Sequence, residues 1–278
     1  MSAAVEETNL IAFGARGDEE RRRRHGVKTT FVRVFEVHVD AIPTAIPAGV
    51  TAGEFRVIGK PASADEAVAA VKAAVAAAKG VPVTAFSLID LFEITSQVVS
   101  NLGELSKRLR DAGLQTLAEL PIDVLPEGVI LPAAQVVAKT GLRVPRLTVR
   151  EATADSRDRL IALAVEIQDA TRGGVRAFAP LPRVSSIAQP STGYDDVKTI
   201  AAARLQAHNI ESIQVDWQLY GPKLAQVALT MGADDVDGVS PLEGDLGRRR
   251  SPIEEIRGNI RAAGLDPVER NGLFEVIA

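Results

Sequence analysis

The chain contains no cysteine among its 278 residues. A thiolate nucleophile, a disulfide and any metal cluster held by cysteine sulfur are therefore excluded from its chemistry. Histidine is nearly as scarce, with three residues in all. His25 falls on a predicted surface helix and His208 at a helix end, so no structural or catalytic zinc site is expected. Aromatic side chains make up 4% of the sequence, and the single tryptophan, Trp217, lies close to Tyr220. That pair reads first as core or rim packing. No apolar run approaches the ~20 residues that cross a bilayer; the Ala/Val-rich stretch from Ala67 to Ala78 is broken by Lys72 and followed by Lys79. The opening residues lack the basic and apolar regions of a secretory signal, so a cytoplasmic location without a membrane partner is expected.

Positive charge is not in excess either: the net charge is −4. The arginine run from Arg21 to Arg24 follows Asp18, Glu19 and Glu20 and reads as a solvated, internally compensated helix. No nucleic-acid partner is expected from such a balance. The glycine loops that cradle nucleotide phosphates and the Gly-x-Ser-x-Gly elbow are also absent.

What is present is ordinary for a folded protein, 46% hydrophobic and 24% charged residues, arranged as short β-branched runs alternating with longer amphipathic ones. Strands are predicted at Thr30 to Val39, Glu54 to Gly59, Val81 to Phe86, Leu114 to Leu120, Arg143 to Val149, Val175 to Leu181, Ser212 to Asp216 and Asp235 to Val239. Helices are predicted between them, one starting at the capping signature Ser63-Ala-Asp-Glu66. A chain of this size with strands and helices in βα order predicts a (β/α)8 TIM-type barrel, with an open doubly wound sheet as the alternative. No linker divides it, so one domain over 1–278 is expected, with an N-terminal helix (about 8–25) and a C-terminal helical tail (about 252–278).

One crossover is abnormal. Asp40 to Gly53 holds two prolines before Gly49 and no helical period, whereas a parallel crossover usually contains a helix. The first crossover helix is therefore expected to be missing. Its loss would expose apolar barrel wall, a surface for self-association or a partner.

Ligands of such barrels sit at the C-terminal ends of the strands. That places His38, Asp40, Lys60, Ser87, Glu119, Arg150, Glu151, Arg183, Asp216, Trp217 and Glu243 among the candidates. Arg150 and Arg183 are expected to clamp a small anionic ligand, and Glu119 or Asp216 to act as a general base. His38 with Asp40 is a weak metal pair, because no third ligand is near in sequence. Gly232-Ala-Asp-Asp-Val-Asp-Gly238 has the acid density of a calcium loop without its spacing and reads as a turn into the last barrel strand.

Several segments carry a family resemblance. Gly193-Tyr-Asp-Asp-Val-Lys-Thr-Ile-Ala-Ala-Ala-Arg204, Asn209-Ile210, Gly221-Pro-Lys-Leu-Ala-Gln-Val-Ala-Leu229, Gly232 to Gly238 and Ala262-Ala-Gly-Leu-Asp-Pro-Val-Glu-Arg270 resemble the C-terminal half of the radical-SAM menaquinone-biosynthesis family, the aminofutalosine synthase, dehypoxanthine futalosine cyclase and FO synthase type. Ala177 to Leu181 resembles the family's sixth-strand motif, and Arg108 to Gly113 extends the similarity more weakly toward the N-terminus. The resemblance implies a radical-SAM-like barrel and, after the first strand, a C-x-x-x-C-x-x-C loop holding a four-iron cluster. In this sequence that place is the cysteine-free Asp40 to Gly53 connection, and Leu117-Ala-Glu-Leu-Pro121 stands where the family has a glycine-rich stretch associated with S-adenosylmethionine. No cofactor is expected, and radical chemistry is not. The reading is a cluster-less homologue linked to the futalosine pathway, a partner or regulator of a cluster-bearing relative, or alternatively a non-radical enzyme or small-molecule binder.

Overall fold

Several of the helices begin where the chain offers a side-chain cap or a proline. In the computed structural model, residues 9–151, 156–184, 192–242 and 252–277 are described. Asn9 caps α1 (Leu10–His25), its side chain accepting from the Ala12 N–H. After β1 (Lys28–His38) there is only a 3-10 turn at Val39–Ala41 before β2 (Glu54–Ile58), so the first crossover helix is indeed missing. Ser63 caps α2 (Ala64–Ala78) as its motif predicts. Then follow β3 (Val83–Ser87), α3 (Leu88–Ile94) and α4 (Val99–Asp111). α4 buries Leu102, Leu105, Ser106 and Leu109, the spacing of one helical face.

The second half continues with β4 (Thr116–Pro121), α5 (Glu127–Lys139), β5 (Arg146–Val149), α6 (Arg157–Ala170) and β6 (Ala177–Pro182). A reciprocal Thr192–Asp195 capping box opens α7 (Gly193–Gln206), which precedes β7 (Ser212–Asp216), α8 (Trp217–Leu229) and β8 (Asp235–Val239). Strands β1 to β8 pair in parallel in sequence order, and β8 and β2 both pair with β1, closing an eight-stranded (β/α)8 barrel. The open sheet is thereby excluded.

α5 tolerates Pro132 inside it, and Pro222 sits within α8 after a kink at Gly221. The C-terminal tail is not all helix: after α9 (Pro252–Ala262) the chain forms a ninth strand, β9 (Asp266–Glu269), parallel to the start of β1. Short apolar runs give no helical period, so the tail satisfies its backbone by pairing.

The expected exposure of the wall beside β1 and β2 is corrected by the same region. Phe31, Phe35, Val37, Phe55 and Val57 are all buried, with the Phe35 and Phe55 rings 5.5 Å apart. Ile42, Ile46, Val50 and Ala52 of the bare connection pack on them in place of a helix. The end of the chain joins the cover, the Gly272 N–H donating to the Gly53 carbonyl. Burial of each large apolar side chain is worth ~1.5–3 kcal/mol, which gives the connection reason to lie flat without a helical period.

Candidate ligand site at the barrel mouth

The lumen beneath the mouth is charged, not apolar. Because successive strand residues alternate faces, Glu54 and Arg56 on β2 point the same way, as do Asp235 and Asp237 on β8. The Arg56 guanidinium donates to Glu54 at 2.7 Å and to both Asp237 oxygens at 2.8 and 3.0 Å. Arg146 of β5 lies 3.5 Å from Glu54 and 3.3 Å from Asp237. Arg270, just past β9, makes a forked pair with Asp235 at 2.6 and 2.7 Å. All six side chains are buried. Burial alone would raise the carboxyls of Glu54 and Asp237, but the adjacent arginines hold both below the usual range, Asp237 far below. Burial, followed by repulsion from Arg56, pulls Arg146 downward.

Above this layer the charges no longer match. A cleft of about 90 Å³ opens between β1 and β6, lined by Glu36, Asp90, Glu119 and Arg183 and floored by Arg56 and Arg146. The floor arginines are already committed to Glu54 and Asp237. Arg183 reaches Glu119 at 3.1 Å and Asp216 at 3.5 Å. Loss of solvent within the cleft raises the Glu36 carboxyl, assisted by Asp237 and Asp216. Asp90 is raised by burial and then by Glu93 and Glu119, and Asp216 by burial and then by Asp237. The mouth thus has more carboxylate than cation.

Of the residues named from sequence, Glu119, Arg183 and Asp216 meet in this cluster. Asp216 also caps α8, its Oδ1 accepting from the Gln218 and Leu219 N–H groups at 2.9 and 3.0 Å. The cap fits because Gly238 faces it: a Cβ there would stand 3.1 Å from Asp216 Oδ1. Trp217 is the first residue of α8 and is half-buried against the core, the packing role its sequence suggested. Ser87 lines the cleft while capping α3. His38 and Asp40 pair with each other at 3.1 Å on the exposed rim, the imidazole lying against Gly59 where any side chain would collide. Lys60 is drawn to Glu93 at 2.5 Å. Arg150 is exposed, and its backbone N–H and that of Glu151 donate to the Asp123 carboxylate at 2.8 and 2.7 Å. Glu243 lies outside the described residues.

Sequence reasoning missed Glu36, Asp90 and the lumen arginines. The signal for the lumen was legible as charge at i and i+2 within predicted strands, a polar inner face of a barrel. The acids of the Gly232 to Gly238 segment, read as a turn, belong to this pattern: Asp235 and Asp237 enter the lumen, and buried Asp234 pairs with buried Arg204. Asp90 follows its strand by three residues and gave no such signal.

With the geometry in hand, residues 177–278 match the CofH/MqnC C-terminal region. The match covers the C-terminal part of the chain, from β6 onward. Among curated proteins it is 34% identical over 134 residues to the aminodeoxyfutalosine synthase of Streptomyces coelicolor, covering 40% of this chain and 34% of that protein. It is 29% identical over 227 residues to the 5-amino-6-(D-ribitylamino)uracil–L-tyrosine 4-hydroxyphenyl transferase of Archaeoglobus fulgidus, covering 72% of this chain and 66% of that protein. The chain therefore spans between about a third and two thirds of the length of these relatives. Among solved structures, methylornithine synthase superposes with a TM-score of 0.62 at 14% identity over 96% of this chain and 90% of that one. The FeFe-hydrogenase maturase HydG from Carboxydothermus hydrogenoformans gives 0.66 at 9% identity, over 96% and 73%. At such identities these two attest the fold alone. The family match and the curated relatives bear out the resemblance read from the sequence.

The four-iron cluster that this resemblance implies does not fit the residues present. The connection after β1 holds no thiol, its donors are the mutually paired His38 and Asp40, and no three His, Asp or Glu side chains converge for a metal among the described residues. Nor does the 90 Å³ cleft suit a nucleoside-sized ligand, which takes a pocket of ~300 Å³ or more. No helix among the described residues is long and apolar enough to cross a membrane.

Proposed function

We propose that this CofH/MqnC-type barrel works without iron–sulfur radical chemistry and binds the cationic group of a small molecule, an amine, at its mouth. The observation that supports this most is the excess of carboxylate there: Arg183 pairs with Glu119 and Asp216, Glu36 and Asp90 have no ion pair among the described residues, and the floor arginines are matched below. An ammonium would relieve the raised carboxyls by direct pairing. The anion expected from Arg150 and Arg183 would instead have to displace Glu119 and Asp216 from Arg183. The cleft admits only the charged group, leaving the body of the ligand on the rim. L-tyrosine, which stands in the name of the Archaeoglobus relative, presents such an ammonium and is the first compound to test. Calorimetric titration with L-tyrosine, tyramine and 4-hydroxyphenylacetate tests the reading. Tyramine is expected to bind and 4-hydroxyphenylacetate not to; the reverse order refutes an amine site.

A second reading is a partner or regulator of a cluster-bearing relative linked to menaquinone biosynthesis. The family's C-terminal region in a chain without cysteine favours it. The wall that was to serve as the interface is covered, so the binding face is left open. Co-purification with an aminodeoxyfutalosine synthase from the same cell, with its turnover measured, tests this; no complex and unchanged turnover exclude it.

A further inference from the structure

The opposite end of the barrel contains a second cavity, of about 460 Å³, within the size of a small-molecule pocket. It lies at the N-terminal ends of the strands, between the end of α1, the start of β1 and the residues following β9. That end of a (β/α)8 barrel ordinarily serves stability. Two of its groups serve none. Lys28, at the first position of β1, has no ion-pair or hydrogen-bond partner for its ammonium among the described residues. Ser212 lines the cavity at 9% exposure, and its hydroxyl likewise has no partner among the described residues. Lys28 is exposed and the Ser212 hydroxyl is not among the buried unpartnered atoms, so both are open to a ligand entering the cavity.

The remaining lining says what that ligand is. The two carboxylates of the cavity are already neutralised, Glu211 by Arg176 at 2.8 Å and Asp234 by Arg204. Arg270 is matched by Asp235, and its guanidinium lies 3.9 Å above the face of Phe274. Lys28 is therefore the unmatched cation, and it calls for a single negative charge; a dianion would meet Glu211 and Asp234 with one positive charge to offset it. Val268, Phe274 and Val276 supply an apolar side to the same cavity. We infer that this cavity binds a small monoanionic organic acid, its carboxylate on Lys28 and Ser212 and its hydrocarbon part against Phe274 and Val276. The inference is independent of the reading of the mouth.

Titration calorimetry of the full chain with benzoate and hexanoate tests it, with benzamide and inorganic phosphate as the uncharged and polyanionic comparisons. Saturable binding of a carboxylate, weakened about tenfold in Lys28→Gln and a few-fold in Ser212→Ala, is expected. Lys28 is exposed at a strand start, so circular dichroism and thermal unfolding of Lys28→Gln should match the parent and separate lost binding from lost fold. The inference is overturned if neither carboxylate saturates, if benzamide binds as well as benzoate, if phosphate binds more tightly than both, or if Lys28→Gln binds undiminished.

Discussion

The lumen and the mouth of this barrel are built from the same residue types, arginine and carboxylate, a few ångströms apart, yet they behave oppositely. In the lumen Glu54, Asp235 and Asp237 meet Arg56, Arg146 and Arg270, so burial is offset by pairing. In the mouth Arg183 pairs with Glu119 and Asp216 while Glu36 and Asp90 have no ion pair among the described residues, and three of the four carboxyls are pushed toward their protonated forms. A matched layer has little further to gain from a ligand, whereas an unmatched one retains electrostatic free energy that a cation can release. On the proposed reading, the lower layer serves structure and the upper layer recognition.

The sharpest way to break that assignment is to unmatch the lumen. Arg56→Met leaves Glu54 and Asp237 buried with their main partner gone and should cost ~3–5 kcal/mol in urea unfolding; a loss below about 1 kcal/mol would mean that water already reaches the lumen. Next in size, Glu119→Gln should weaken tyramine binding by about tenfold while changing stability by less than about 1 kcal/mol, since Glu119 is only partly buried. An equal loss of both would merge the two layers into one. Acid should then separate them by sign. Glu54 and Asp237 have lowered pKa values, so their stabilisation is complete above ~4, their unfolded value, and is lost as the pH falls toward their folded values. Asp90 is raised, so its ionised form opposes folding at neutral pH. Asp90→Asn should accordingly raise stability by ~0.5 kcal/mol at pH 7, a gain that disappears as the pH falls through the raised pKa. A gain that persists in acid would point to packing instead of charge.

Much of the frame was legible in the sequence. Eight β-branched runs in βα order gave the ring, and the connection from Asp40 to Gly53, too short and too rich in proline and glycine for a helix, gave the missing crossover helix. β9 was not legible, because Asp266-Pro-Val-Glu269 has neither alternation nor length and becomes a strand only by pairing with β1. The covered wall was not legible either, since Ile42, Ile46 and Val50 have no period until β1 and β2 supply a surface for them. At the mouth, position at a strand end found Glu119, Arg183 and Asp216 but could not tell a paired arginine from a free one. Arg183 between two carboxylates and Lys60 beside Glu93 are tertiary facts.

The seam where β1 meets β9 joins residues 28–31 to residues 266–269. Contacts so far apart along the chain are slow to form, because the loop they close is long. Arg270, which follows β9 directly, is set beside Asp235 by that seam, so a strand outside the ring of eight delivers one of the cations buried inside it.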